Sequence, residues 1–407
     1  MTNLPVYVVY CLSFLGALAL SMFSIPRIIY VAKRKRLFDV PDNQRKIHSR
    51  IIPNLGGVAI FFGLIITASL TINADVFHKW NYIAASVLIL FITGIKDDLI
   101  SLPPLKKMIA QFAAAFITAY FADIRLTSLH GLAGIYDLAY WPSVGFTVLG
   151  CMFITNAFNL IDGIDGLAGS IGVLCSGILG ICLAFEGNIS GACIAFSLMG
   201  GIAGFLRYNI APAKIFMGDT GSLIIGFTIS VLSILFTTSY TGIGSFERIV
   251  HAPQSTLIIS LAVLFIPVFD TFRVFVTRLM KGHSPFRADK THLHHYLLDL
   301  GFTHSRTVSI LLTANTLIIA VSLFVQDYNL NLAVASLLFV AFGMFAILFV
   351  MRRRFVSGMQ QEQHVNKILN GKPAIKKETA THVNANGSIQ GPLTLNGNKL
   401  TVEEPVH

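Results

Sequence analysis

Eleven apolar stretches constrain what this chain can fold into. They lie near residues 5–26, 54–73, 80–95, 107–123, 141–160, 166–186, 189–206, 220–240, 254–279, 307–326 and 331–351, and charge, Pro, Gly and Asn separate them. Most approach the roughly 20 residues that carry a helix across a bilayer core. A soluble domain holding that much apolar sequence would need a polar coat, and composition denies it one. The chain is 54% hydrophobic and only 12% charged, against roughly 45–50% and about 25% in soluble domains. The sequence therefore predicts an all-α, polytopic integral membrane bundle of about eleven transmembrane helices.

The basic residues orient the bundle, because short cytoplasmic loops collect Lys and Arg. Of 30 Lys and Arg, 26 fall in or beside 27–50, 96–107, 207–219, 278–306 and the segment after 351. The opposite loops hold Lys79, Arg125 and Arg248, and Arg273 lies inside a span. That alternation predicts an N-terminus outside and a C-terminus in the cytoplasm. The formal net charge of +10 is thus explained by orientation, and no nucleic-acid partner is expected. The first stretch has its basic cluster after it rather than before it, so it reads as a retained span. Cys11, Cys151, Cys175, Cys182 and Cys193 sit in apolar runs without paired spacing, which suggests neither disulfides nor zinc. Residues 1–355 are expected to form the membrane-embedded domain. Residues 356–407 are polar and broken by Gly and Pro, so they are expected to be a mostly disordered tail. A small β-like module is the alternative there, from the weak alternation of Leu393, Leu395, Leu400 and Val402.

Four places beside cytoplasmic span ends carry chemistry. At Lys96-Asp97-Asp98 two adjacent carboxylates repel each other unless they share a cation or a proton; a solvated helix end near Lys106 and Lys107 is the plain reading. In Asn156-Ala-Phe-Asn159-Leu-Ile-Asp162-Gly163-Ile-Asp165-Gly166 the residues Asn159, Asp162 and Asp165 are spaced by three. On a helical turn they share a face of oxygens fit for Mg²⁺, or they cap a structural turn. Phe216-Met217-Gly218-Asp219-Thr220-Gly221-Ser222 opens a span. It offers N–H groups and hydroxyls to a phosphate and Asp219 to a metal, and an ordinary N-cap also explains it. The segment Lys290-Thr-His292-Leu-His294-His295, with Arg287 nearby, suits phosphate oxygens better than a metal, and a structural histidine cluster is the alternative. The four places share one side of the membrane, and together they describe a phosphoryl-transfer site at its surface.

In combination these motifs resemble those of the polyprenyl-phosphate N-acetylhexosamine-1-phosphate transferases, a family that includes the muramoyl-pentapeptide phosphotransferase of peptidoglycan synthesis. The resemblance covers about residues 1–350, and Arg45-Lys46-Ile-His48 with Pro53 and Gly56-Gly57 is similar to the family's first cytoplasmic loop. The pentapeptide branch typically carries three consecutive histidines; His-Leu-His-His here is more similar to the N-acetylglucosamine-1-phosphate branch. The resemblance implies UDP-N-acetylglucosamine or a related UDP-N-acetylhexosamine as donor, undecaprenyl phosphate as acceptor, and Mg²⁺, with Mn²⁺ as a substitute. It implies release of UMP at the cytoplasmic face of a bacterial inner membrane, at the start of lipid-linked glycan synthesis. Asn159 and Asp219 are the implied metal ligands. Asp97 and Asp98 are placed at the acceptor phosphate, where like-charge repulsion raises one pKa and makes a base. Asp162 and Asp165 are placed beside the nucleotide and metal. Lys46, His48, Asn156, Gly163, His292, His294 and His295 are the implied substrate contacts, although Lys46 is also explained by topology alone. A single displacement is expected, with a phosphoryl-aspartate intermediate as the alternative.

Asp270 and Arg273, at i and i+3 inside a span, are expected to pair with each other or with a neighbouring span near its cytoplasmic end, since either charge alone in hydrocarbon is costly. Few other ionisable residues lie deep in the spans, which weighs against a transporter of an anionic substrate. The four intact motifs weigh against a non-catalytic lipid-binding homologue. The sugar, the glycan pathway and the oligomeric state, a homodimer included, are not legible.

Overall fold

The computed structural model describes residues 4–35, 52–240, 250–282, 291–370, 393–396 and 399–402. Lys46, His48, Arg287 and Lys290 lie outside the described residues. Each of the eleven apolar stretches falls on helix. In order these are α1 (Val6–Lys35), α2 (Gly56–Thr71), α3 (Lys79–Ile100), and α4 (Pro104–Phe116), which a π-helical turn, Ile117–Phe121, continues. Then come α5 (Tyr140–Ile161), α6 (Leu167–Phe185), α7 (Ile189–Asn209), α8 (Gly218–Thr238), α9 (Pro253–Val263) and α10 (Phe265–Met280). The short α11 (Leu293–Asp299) precedes α12 (His304–Val325) and α13 (Leu330–Asn370). Seven of these, α1, α5, α6, α7, α8, α12 and α13, are long and apolar enough to cross a membrane, and α9 with α10 makes an eighth if the pair is one span. A hairpin of β1 (Ser128–Leu132) and β2 (Ile135–Asp137) interrupts the all-α pattern, and Asn331 at the start of α13 pins it through Ala133 N–H and Gly131 C=O.

Helix α8 is the axis of the bundle. Its sequence is apolar on every side, which only a helix surrounded by others tolerates, and its residues from Thr220 to Thr237 are buried. Helices α2, α3, α5, α6, α7 and α9 pack around it. Two of them approach very closely. A Cβ on Gly94 of α3 would collide with the Thr220 backbone, and one on Gly57 of α2 with the Gly221 backbone. The start of α2 lacks a side-chain cap, and the carbonyls of Phe216 and Met217 accept from Gly56 N and Gly57 N, each at 2.9 Å. The free N–H groups of one helix are thus satisfied by the segment leading into another, and the N-terminus of α8 is fixed at one end of the core.

The stretch 254–279, expected as one continuous span, is broken. Helices α9 and α10 meet at Leu264 with a bend of 69°. Pro267 explains it: a proline has no N–H to donate and its ring crowds the carbonyl four residues back, here that of Val263. Non-helical backbone at membrane depth must find other partners. Asn315 of α12 supplies them, donating from Nδ2 to Val263 O at 3.1 Å and accepting from Ile266 N at 3.0 Å.

The compact body ends at Arg352, and residues Arg353–His407 form a second unit. Where the sequence predicts mostly disordered chain, α13 runs to Asn370 and β3 (Leu393–Asn396) pairs antiparallel with β4 (Lys399–Val402). No proline intervenes before Gly371 and Pro373, which accounts for the helix. Leu393 opposite Val402 and Leu395 opposite Leu400 turn the weak alternation into cross-strand pairs.

Candidate active site

The end of α8 that carries Asp219 opens into a cleft of about 460 Å³. Five carboxylates line it, Asp97, Asp98, Asp162, Asp165 and Asp219, together with Asn159 and Gly163. The Asp-Asp pair arrives on the last turn of α3, Asn159 on the last turn of α5, and Asp162 and Asp165 on the turn joining α5 to α6. Sequence-distant motifs therefore meet because α3 and α5 end, and α6 begins, beside the N-terminus of the central helix.

Asp97 and Asp98 have different surroundings. Both oxygens of Asp98 face α8: Oδ1 accepts from Asp219 N at 2.7 Å, and Oδ2 accepts from Thr220 N at 3.1 Å and Thr220 Oγ1 at 2.6 Å. A carboxylate from α3 thus caps α8 and favours its positive dipole end. Gly218 permits this, with φ +71°, since a Cβ there would sit 2.6 Å from Asp98 Oδ2. Asp97 accepts from Leu102 N at 2.6 Å and turns its other oxygen to Lys107 Nζ, also at 2.6 Å. The same Nζ lies 2.6 Å from Asp219 Oδ2. Asn159 Nδ2 donates to Asp219 Oδ1 at 3.0 Å and to Ser222 Oγ at 2.9 Å.

The far wall holds Asp162 and Asp165. Burial, then the charges of Asp219, Asp98 and Asp165, push the Asp162 carboxyl well above the usual carboxylate range. Asp165 Oδ2 accepts from Ala213 N at 3.2 Å and lies 3.5 Å from His304 Nδ1. Asn209 braces this turn, accepting from Gly166 N and donating to Ile215 O, both at 2.9 Å.

Of the expected substrate contacts, Gly163 lines the cleft. His294 lies against it, since a Cβ on Gly163 would be 2.5 Å from His294 Nε2. That nitrogen is buried without a hydrogen-bond partner among the described residues. Burial, then neighbouring His295, pushes the His294 pKa down to about 3. Its surroundings thus favour the neutral imidazole, one of the two forms in which a histidine can meet a phosphate. The His294 and His295 rings stand 4.3 Å apart. His292 is buried against Asp270, with Nδ1 at 3.0 Å from Oδ2. Asn156 lies one turn before Asn159 and faces α4, where it exchanges amide hydrogen bonds of 2.7 and 3.3 Å with buried Gln111. It does not line the cleft.

Sequence reasoning missed Lys107, His304 and Asn209 as members of this site. Lys107 was visible beside the Asp-Asp pair, but a lysine at a cytoplasmic helix end is ordinarily solvated, and only the return of α8 to the same point gives it two carboxylates.

Among the described residues, Asp97, Asp98 and Asp219 each offer a carboxylate oxygen within 4.8 Å of one another. Mg²⁺ takes oxygen ligands and commonly uses one or two carboxylates together with substrate phosphates. The donor set fits such an ion: Asp98 is committed to α8, whereas Asp97 and Asp219 already share one cation, the Lys107 ammonium. Fold and cleft together define a membrane-embedded phosphotransferase.

Known proteins narrow the class. Residues 80–237 match the model of Glycosyl transferase family 4, a segment that holds the Asp-Asp pair, Lys107, Asn159, Asp162, Asp165 and Asp219. The chain is 31% identical over 300 residues to a probable undecaprenyl-phosphate N-acetylglucosaminyl 1-phosphate transferase of Bacillus subtilis (strain 168), covering 74% of this chain and 80% of that protein. It is 32% identical over 304 residues to the undecaprenyl-phosphate alpha-N-acetylglucosaminyl 1-phosphate transferase of Escherichia coli (strain K12), covering 74% and 79%. The Yersinia pestis protein of that name is 31% identical over 296 residues, covering 71% and 77%. This chain belongs to the polyprenyl-phosphate N-acetylhexosamine-1-phosphate transferase family.

Proposed function

We propose that the protein transfers N-acetylglucosamine-1-phosphate from UDP-N-acetylglucosamine to undecaprenyl phosphate, releasing UMP, in a Mg²⁺-dependent reaction at the cytoplasmic face of a bacterial inner membrane. The observation that supports it most is the cleft at the start of α8, where Lys107 bridges Asp97 and Asp219 amid five carboxylates. An anionic donor enters so acidic a cleft only with added cations, which is what a divalent ion supplies. In this reading all eleven apolar stretches cross the membrane with the N-terminus outside, residues 1–355 form the membrane domain, and the basic loops face the cytoplasm with the cleft.

Asp219 and the Asn159 amide oxygen would hold Mg²⁺, with Asp97 beside them; when bound, the ion neutralises charge on the diphosphate. An acceptor phosphate oxygen attacks the phosphorus that bears the sugar, the bond from that phosphorus to the bridging oxygen breaks, and UMP leaves with the bonding pair. Asp97 is the member of the pair left to face the acceptor phosphate, because Asp98 is occupied by α8. Lys107 keeps Asp97 and Asp219 oriented and offsets charge as the two phosphates approach. Asp162 and Asp165 sit at the nucleotide side. Gly163, His292, His294, His295, Lys46, His48 and Asn156 remain the proposed substrate contacts, with His294 acting as a neutral group and Asn156 through its neighbour Asn159.

The runner-up donor is UDP-N-acetylmuramoyl-pentapeptide; the His-Leu-His-His spelling weighs against it. Purified protein in vesicles with undecaprenyl phosphate and Mg²⁺ decides between them. We expect lipid-extractable label and UMP from UDP-N-acetylglucosamine, abolished by EDTA. Transfer from the pentapeptide donor alone would establish the runner-up, and no UMP from either donor would contradict both.

A further inference from the structure

Outside the cleft, one buried carboxylate has more partners than neutralisation needs. Asp270 in α10 is 1% exposed, and Arg273 one turn on donates to its Oδ1 at 2.7 Å. That ion pair alone would relieve the cost of a charge at this depth. Yet Leu293 N also donates to Oδ1, at 3.0 Å, and His292 Nδ1 lies 3.0 Å from Oδ2. Arg273 Nη2 donates in addition to Thr291 O, at 2.5 Å. Three consecutive residues, Thr291 by its carbonyl, His292 by its ring and Leu293 by its N–H, are therefore anchored on one ion pair. The guanidinium is packed over Phe345 at 4.6 Å and Tyr296 at 5.4 Å, which immobilises the anchor.

Hydrogen-bond chemistry fixes what this does to His292. An ionised carboxylate held by arginine only accepts, so the ring nitrogen facing it must carry the hydrogen. The hydrogen bond at one ring nitrogen then determines which nitrogen is left to act. The effect carries to the next histidine of the motif, because the His292 and His294 rings lie parallel, 7° apart in plane and 5.7 Å between centroids. His294 is the ring whose Nε2, unpartnered among the described residues, abuts cleft-lining Gly163.

We propose that Asp270 is a positioning residue for sugar-phosphate transfer: it holds His292 with Nδ1 protonated and so sets the row of histidines at the edge of the cleft. The proposal rests on the transferase reading above. Asp270→Asn keeps the volume and leaves Oδ1 to accept from Arg273 and Leu293, but turns an NH₂ group toward His292. Transfer kinetics are measured for wild type, Asp270→Asn, His292→Gln and the double variant, with melting temperatures for all four. We expect each single variant to lose at least about 30-fold in kcat/KM, and the double variant to lose no more than about threefold beyond His292→Gln, as for residues acting as a unit. The melting temperatures show that all four proteins are folded at the assay temperature, so that the kinetic losses are not losses of folded enzyme. Losses in kcat/KM that multiply, or an Asp270→Asn variant within twofold of wild type, overturn the proposal. ¹⁵N-histidine NMR of the full chain in nanodiscs gives a readout that needs no turnover. A protonated His292 Nδ1 that is lost in Asp270→Asn supports the claim, and a bare Nδ1 in the wild type refutes it. Failure of wild type to transfer any sugar phosphate strikes at the transferase reading instead, and the NMR experiment still decides the role of Asp270.

Discussion

At the scale of residues, two neighbouring aspartates divide structural and chemical roles. Asp98 accepts three hydrogen bonds from the first residues of α8, while Asp97 faces Lys107. Asp98→Asn places an NH₂ group where an acceptor is needed, so it should lower both activity and stability, the latter by about 1.5–3 kcal/mol for a lost charged hydrogen bond. Asp97→Asn should lower activity with a smaller change in melting temperature; equal destabilisation by the two would remove the distinction. The buried imidazole of His294 makes a separate prediction. Its pKa falls from 6.5 to about 3 on folding, so the unfolded chain takes up the proton first as pH drops. Stability is then lost between pH 6.5 and pH 3, by up to about 1.4 kcal/mol per pH unit. His294→Gln should flatten that part of a melting-temperature profile, and an unchanged profile would show that His294 is not held neutral. The acidic members of the cleft were legible in sequence because carboxylates beside membrane spans need a reason to be there. Lys107 and the Asp270–His292 contact were not legible, because both depend on helices that return to the same point after long separations in sequence.

Elements carry the second lesson. The apolar period located a helix at every stretch, but it did not show where backbone would leave the helix. At 254–279 the run of apolar residues continues through Leu264 while the helix stops, because Pro267 frees the Val263 carbonyl and Asn315 takes it up from α12. The break turns α10 aside and brings Asp270 to the histidine segment. Asn315→Leu should therefore leave Ile266 N–H unsatisfied, at about 1–3 kcal/mol, and Val263 C=O with only the weak thiol donor of Cys175. It should also reduce transfer by loosening α10. A thermal melt in nanodiscs checks the first effect and turnover the second, and a fully active, undiminished Asn315→Leu variant would show that the bend does not depend on this asparagine. In the tail, a proline-free run carries helix to Asn370 and four alternating apolar residues form a strand pair, while 371–392, 397–398 and 403–407 lie outside the described residues.

The whole molecule joins orientation to chemistry. Helix α8 is enclosed by six others, and the one end of it that carries a carboxylate is the end where the motif-bearing helices α3 and α5 stop and α6 begins. Single cysteines introduced at Lys96 and Lys214, in a background with the five native cysteines replaced, should react with a membrane-impermeant maleimide only from the cytoplasmic side; one at Lys79 should react only from outside. Labelling of Lys96 and Lys79 positions from the same side would overturn the proposed topology. The central claim, that the cleft at the start of α8 performs transfer, is tested most directly by UMP release from UDP-N-acetylglucosamine by purified Asp219→Ala protein in vesicles, across a Mg²⁺ titration that includes low concentrations. The predicted result is a loss of about 10²–10³-fold or more, the size associated with removing an electrostatic group at a reacting centre, in a protein that still melts cooperatively. Near-normal turnover by that variant at low Mg²⁺ would contradict the account.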